Sequence, residues 1–424
     1  MYITSKGLEF NNLKEFSKFA LDNNLIGVIQ LTEAIKDKTG NILIKEQVSI
    51  KESAMKKLES LDGQYEPYFK VHMNDDMLDR LGLAIAKKVT PYIDDSKNEF
   101  IKHLFDKSSS IISNYTSFIQ SSFYETRILL IFYRLMVERP DFFEYSIELA
   151  LLTLGTIIQK PHPMKFIHRH AFLGGFFIDM VFSESDYWKQ AFCMEADMIQ
   201  VSKLSSITAQ NVGLSDEIAQ AIEGNILPEV STDSKITPID YEVLKRNSLL
   251  LKVDRGDSES SEADAVRPEA IHLLTEAMKI ARFIKETNKK LENSKEDIVE
   301  QLLVMFTYNT EKGIFLKDLA YPLIARFKEF KSTVARIRKV AELENRCINP
   351  PSAWAYPKPK ATQILCKNKV YTCKYFVGGW DISIVNPQTA LGYLGLPLNP
   401  GSYPKCKLEK ELSDNGDSKR QSYS

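Results

Sequence analysis

The sequence lacks most of the features that announce a mechanism at once. It has no CxxC pair, and its five cysteines (Cys193, Cys347, Cys366, Cys373, Cys406) are odd in number and scattered. That argues against a zinc ribbon and a thioredoxin-like pair, and a chain of this length can build a core without a disulfide framework. GxGxxG, GxxxxGK[ST] and GxSxG are all missing, so the main phosphate loops and the strained nucleophile elbow are absent. An excess of either charge is missing too. The 55 Lys and Arg against 56 Asp and Glu leave a net charge of −1, so no global basic field draws in nucleic acid or an anionic membrane. Long apolar runs are lacking as well. The greasiest windows are Ile128–Tyr133 and 171–182, the second broken by Asp179, against the ~20 apolar residues a spanning helix needs. Met1 to Gly7 show no basic stretch followed by an apolar one, so no signal peptide is expected. Together these absences predict a soluble cytoplasmic protein with no membrane insertion and no nucleic-acid partner.

What is present is ordinary globular material. Hydrophobic residues make up 44% and charged residues 26% of 424 positions, which rules out a disordered or fibrous chain. The length predicts two or three domains. Residues 1–75 read as a small α+β module, with a strand-like run over Leu25–Leu31, a turn over Asp37–Asn41 and a strand at Ile42–Ile44. Ser49 looks like the N-cap of a helix to about Leu61, and Tyr68–Val71 like a closing strand.

Residues 76–345 read as a helical domain. Leu78, Leu81, Leu83 and Ile85 recur at helical spacing, and so do Phe100, Ile101 and Leu104. Ile111–Val137 lacks Gly and Pro and reads as a buried helix or helix pair stopped by Pro140, followed by a helix over Phe143–Ile158. Further helices are predicted over Pro268–Leu291, with a stripe of Ile271, Leu274, Met278 and Ala281, over 297–308 and over 316–343. Asp254–Asp264 is acidic and serine-rich, which predicts a solvated loop or a disordered insert. Residues 346–407 carry strand signals at Ile364–Cys366, Val370–Val377 and Asp381–Val385 and read as a β-rich appendage. Residues 408–424 read as a disordered tail.

Several residues carry candidate chemistry. His162, His168 and His170 precede Asp179, and Glu195 and Asp197 follow. They form either a displaced metal site or a set of ordinary polar and helix-capping side chains. On a helix, residues two apart point about 200° from each other, so His168 and His170 cannot share an ion there. Asp179, alone in an apolar run, is either a metal ligand or a carboxylate capping a helix or pairing with an arginine. Gly174-Gly175 suits close helix packing. Arg326–Lys339 is a basic amphipathic helix, either a solvated face over a core stripe or a docking surface. Tyr187, Trp188, Trp354, Tyr356 and Trp380 are either packing residues or stacking platforms.

Two stretches carry a resemblance. The first is the run from Lys38-Thr-Gly40-Asn through Val48-Ser-Ile50 to Leu58. The second covers about 141–226: Phe143-Glu-Tyr145-Ser, then Phe172-Leu-Gly-Gly-Phe-Phe-Ile178-Asp179-Met, then Asn211-Val-Gly213 through Ile218 to Glu223-Gly224-Asn225. In order and approximate spacing these resemble the HD-GYP branch of the HD-domain phosphohydrolases. The resemblance implies a mainly α fold, an HD-domain-like helical bundle preceded by the small N-terminal α+β module; the strand signals beyond it add the short C-terminal β appendage. It also implies metal-dependent phosphodiester hydrolysis of the cyclic di-GMP class.

The departures argue against that activity. Tyr145 stands where the family has its first histidine, and Ile178 where it has the paired histidine, although Asp179 remains. Glu223-Gly224-Asn225 stands where it has a His-His-Glu segment, and no Gly-Tyr-Pro follows. Phenol, with a pKa near 10, is a poor ligand at neutral pH, and isoleucine is none at all. The expectation is a catalytically degenerate protein of bacterial signalling. It would need no cofactor and act through a protein partner, with a cyclic dinucleotide as candidate ligand. Two alternatives stand beside it. One is an active phosphohydrolase holding manganese, iron or zinc at His162, His168, His170, Asp179 and Glu195. The other is a structural partner-binding protein that docks through 254–264 and 326–339.

Overall fold

The computed structural model describes residues 2–4, 7–61, 63–94, 99–105, 111–189, 195–226, 267–291 and 298–342. The acidic segment 254–264, the β-rich segment 346–407 and the tail 408–424 lie outside the described residues. The chain divides into two units, 1–324 and 325–424. The described residues are mainly helical, with thirteen α-helices and two small sheets.

The first unit opens with strands β1 (Tyr2–Thr4) and β2 (Gly7–Phe10) and helix α1 (Leu13–Asp22). Strands β3 (Gln30–Leu31), β4 (Ile35–Lys36) and β5 (Ile42–Ile44), helix α2 (Glu52–Ser60) and strand β6 (Phe69–His72) follow. One antiparallel sheet has the order β1-β2-β6-β3, and β4-β5 form a separate hairpin. Leu8 lies opposite Val71 and Phe10 opposite Phe69. All four are buried, as alternation on a one-sided sheet requires. Phe16 of α1 stacks on Phe69 at 4.5 Å.

The turn at Asp37 forms as its sequence predicts. The Asp37 carboxylate accepts from the backbone N–H and hydroxyl of Thr39 and from the backbone and side-chain N–H of Asn41. These bonds hold its carboxyl at about 2. Gly40 supplies the left-handed φ of +90°.

Two local expectations need correction. Only Gln30–Leu31 of the strand-like run is paired, because Gly27 turns the chain with φ +84°. Helix α2 starts at Glu52 with Lys51 as its cap residue; Ser49 instead accepts a 3.5 Å hydrogen bond from the Gln30 side chain. The strands β1 and β2 and helix α1 are additions to the elements predicted for the module.

The module leans on the helices that follow. Asn23 donates to Tyr133 Oη at 2.5 Å, Phe19 meets Tyr133 edge-on, and Arg80 donates to the Asn24 carbonyl.

The helices are α3 (Asp75–Asp94), α4 (Glu99–Phe105), α5 (Tyr115–Ser122), α6 (Thr126–Glu138), α7 (Pro140–Ile157) and α8 (Ile167–Phe177). After them come α9 (Glu195–Asn211), α10 (Asp216–Glu223), α11 (Pro268–Leu291), α12 (Ile298–Glu311) and α13 (Lys317–Glu342). The stretch without Gly and Pro is a pair, α5 and α6. Pro140 begins α7 directly after Arg139. At the first helical position its missing N–H costs nothing.

Helix α7 is buried on nearly every face from Tyr145 to Ile157, as an all-round apolar helix must be. Helix α8 lies close against it. A Cβ at Gly175 would stand 2.7 Å from Ala150 Cα and 2.9 Å from the Leu149 carbonyl, so only glycine permits this approach. Leu274, Met278 and Ala281 of α11 are buried, and Met278 packs over Gly174. Phe283, Phe306 and Phe315 form an aromatic cluster joining α11 to α12. Among the described residues no helix is long and apolar enough to cross a membrane.

Candidate functional site

Three chain segments and one helix face meet inside this bundle. Helix α7 carries Tyr145 inward. Helix α8 ends at Phe177 and delivers Ile178 and Asp179. Helix α10 ends at Glu223, and the chain turns so that Asn225 is buried. Helix α11 contributes Arg282, the largest of the fully buried side chains.

Asp179 is 1% exposed. Its Oδ2 accepts from the Tyr145 hydroxyl at 2.6 Å, and its Oδ1 accepts from the Arg282 guanidinium. Arg282 also donates to the Asn225 carbonyl at 3.0 Å, with longer contacts at 3.4 Å to Ser202 Oγ and the Ile178 carbonyl. Taking an ion out of water costs several kcal/mol, roughly, unless partners replace the lost hydration. Here the carboxylate and guanidinium neutralise each other, and hydroxyl and carbonyl groups take up further lone pairs and protons.

The phenol of Tyr145 is pushed well above its usual pKa. Burial is the main cause, followed by the negative charges of Asp179 and Glu286 and the bond donated to Asp179. Tyr145 is therefore a neutral donor. Its ring is covered by Trp188, 4.9 Å away, and by Lys285 Nζ at 5.3 Å. Lys285 in turn pairs with Glu148.

Tyr145, Ile178, Asp179 and Asn225, four of the positions singled out in the sequence, thus come together. Ile178 and Asn225 take part through their carbonyls. The Asn225 amide is buried with no hydrogen-bond partner among the described residues. Glu223 is exposed and does not join. His162, His168 and His170 lie toward the opposite end of α8. His168 is depressed by burial and by the neighbouring His162. His170 is pulled down to about 4, first by burial and then by Arg169 and Arg267, with Glu217 acting in the other direction. Glu195 opens α9, and its side chain is outside the described set. Among the described residues no three His, Cys, Asp or Glu side chains form a group that could hold a metal ion.

Arg282 was not among the residues singled out. A signal for it exists: Leu274, Met278, Arg282 and Glu286 follow at intervals of four. On one helix face this spacing continues a core stripe into a charged pair. Of the readings open for Asp179, the arginine partner is the one formed.

Comparison with protein-family models, with curated proteins and with solved structures gives no match.

Proposed function

We propose that this chain is a non-catalytic regulatory protein of HD-domain-like build, in which a Tyr145–Asp179–Arg282 network occupies the position of a metal centre. It acts by engaging a protein partner, with a cyclic dinucleotide as candidate ligand. The position of Arg282 supports the reading. A guanidinium stays protonated at any physiological pH, and it holds the carboxylate at the centre. A divalent ion there would have to displace that cation and accept ligation from a neutral phenol and an isoleucine. Such a donor set does not fit the ion, since manganese, iron and zinc are held by sets of imidazole, carboxylate or thiolate donors. Without a bound ion, no metal-activated water is formed at this point.

The test uses the purified full chain, offered manganese, iron and zinc in turn, with cyclic di-GMP as substrate. The expected result is no turnover above the blank. Hydrolysis that disappears in Asp179→Ala would overturn the proposal.

A further inference from the structure

Among the described residues helix α12 is covered on one side only. Leu302, Phe306 and Thr310 are buried on its inner side, where Phe306 joins the aromatic cluster with α11. On the outer side Val304 is 62% and Tyr308 61% exposed, with Met305 beside them at 37%. Val304 and Tyr308 are four residues apart, so they stand one above the other on the helix. Tyr321 of α13, also exposed, donates to Glu311 at 3.1 Å and so borders the same face. Four of the twelve exposed large apolar side chains among the described residues are gathered here. Single exposed apolar residues are ordinary, whereas a grouped set marks a contact surface.

The two ends of this face carry opposite charges. Glu300 lies in the first turn of α12, and Lys312 follows its last residue; both are exposed. The Lys312 ammonium is 5.5 Å from the Tyr308 ring centre, which keeps it on this face. Position 306 is the midpoint of Glu300 and Lys312 and equally of Val304 and Tyr308. A second copy laid antiparallel about that midpoint brings Val304 level with Tyr308 and Glu300 level with Lys312, and a two-fold axis repeats each pair. Glu300 also interacts within its own chain, and its carboxylate has lone pairs for a further cation. A parallel pairing would set like charges together. The α9 face of Ile199 and Ile207 fails the same test, because its midpoint is Lys203, which would meet its own copy.

We propose that the outer face of α12 is a self-association surface, through which two copies of this chain pair antiparallel around the level of Phe306. The proposal does not rest on the regulatory reading given above. A helix of 14 residues is about 21 Å long and ~10 Å across, so the surface is smaller than the ~800 Å² per partner of a standard interface. The dimer is accordingly weak and reversible.

The test is sedimentation velocity of the full chain over a concentration series from micromolar to near-millimolar. The wild type is expected to pass from monomer to dimer. Val304→Glu and Tyr308→Glu should each weaken the dimer by about tenfold or more. Ile199→Glu, at another exposed apolar position, should leave it unchanged. Charge reversal fixes the direction of pairing. Glu300→Lys and Lys312→Glu should each weaken the dimer, and the two reversals combined in one chain should restore it, since the antiparallel pairs are then again of opposite sign. In a parallel pair the combined reversal would restore nothing. Thermal melting of each variant checks that it is folded.

Three results would overturn the proposal. A wild type that stays monomeric throughout would leave this face to a different protein. A dimer that survives both Val304→Glu and Tyr308→Glu would place self-association elsewhere in the chain. A combined reversal that dimerises no better than the single ones would reject the antiparallel pairing.

Discussion

The two ends of helix α8 treat charge in opposite ways. At its C-terminal end Asp179 is sealed in the core, and a phenol and a guanidinium meet both of its oxygens. At its N-terminal end Arg169 is half-buried and Arg267 exposed, each lies over a ring, and neither meets a carboxylate among the described residues. The contrast shows why one end is structural and the other available. A buried charge persists only when its partners complete it. A partly solvated cation needs no such partner and stays open to an external one.

The sharpest way to break this contrast is to remove one member of the buried pair. Arg282→Met leaves Asp179 uncompensated in the core and is expected to destabilise the fold by about 3–5 kcal/mol, read from urea unfolding. Arg169→Gln, at the other end, should stay within about 0.5 kcal/mol of wild type by the same measurement, as surface changes usually do.

Next in size is the close approach of α7 and α8 that sets Tyr145 against Asp179. Gly175→Ala pushes a methyl into Ala150 and the Leu149 carbonyl. It should cost about 3 kcal/mol, visible as a lower melting temperature. Gly174→Ala meets the flexible end of Met278 and should cost less.

The His170 end gives a pH signature. Its pKa is about 4 in the folded chain, against roughly 6.5 unfolded. Between these values the unfolded chain binds more protons, so stability falls as pH drops from 6.5 towards 4. The loss should be on the order of 2 kcal/mol for this half-buried group, and His170→Gln should flatten that part of the curve. Chemical denaturation at a series of pH values checks both.

Within the buried network the smallest expected effect is that of Tyr145→Phe. It deletes one hydrogen bond to Asp179 while Arg282 remains, and about 1–2 kcal/mol should be lost.

Much of the helical frame was legible because burial leaves a periodic trace. Helix α11 follows its stripe, with Leu274, Met278 and Ala281 buried and Ile271 half-buried. The Asp37 turn follows from side chains that bond their own backbone. Other signals misled for local reasons. Gly27 breaks an apolar run that otherwise reads as a strand. Ser49 satisfied a capping pattern but is used elsewhere.

The centre of the site was half legible. Tyr145 and Asp179 stood out by position in the chain. Arg282 did not, because its role depends on α11 crossing α8, more than a hundred residues away in sequence. The arginines at the other end were equally hidden. Arg267 meets the Phe166 ring, itself 4.8 Å from the His170 imidazole, only when the start of α11 lies beside the start of α8.

The most direct test is a double-mutant cycle between Asp179→Asn and Arg282→Met, with unfolding free energies measured for both single variants, the pair and the wild type. If the two charges support each other, the double variant should be less destabilised than the sum of the singles by about 2 kcal/mol or more. Singles that add within about 0.5 kcal/mol would mean that the pair is not coupled, and would contradict the assignment of Arg282 as the partner that holds Asp179.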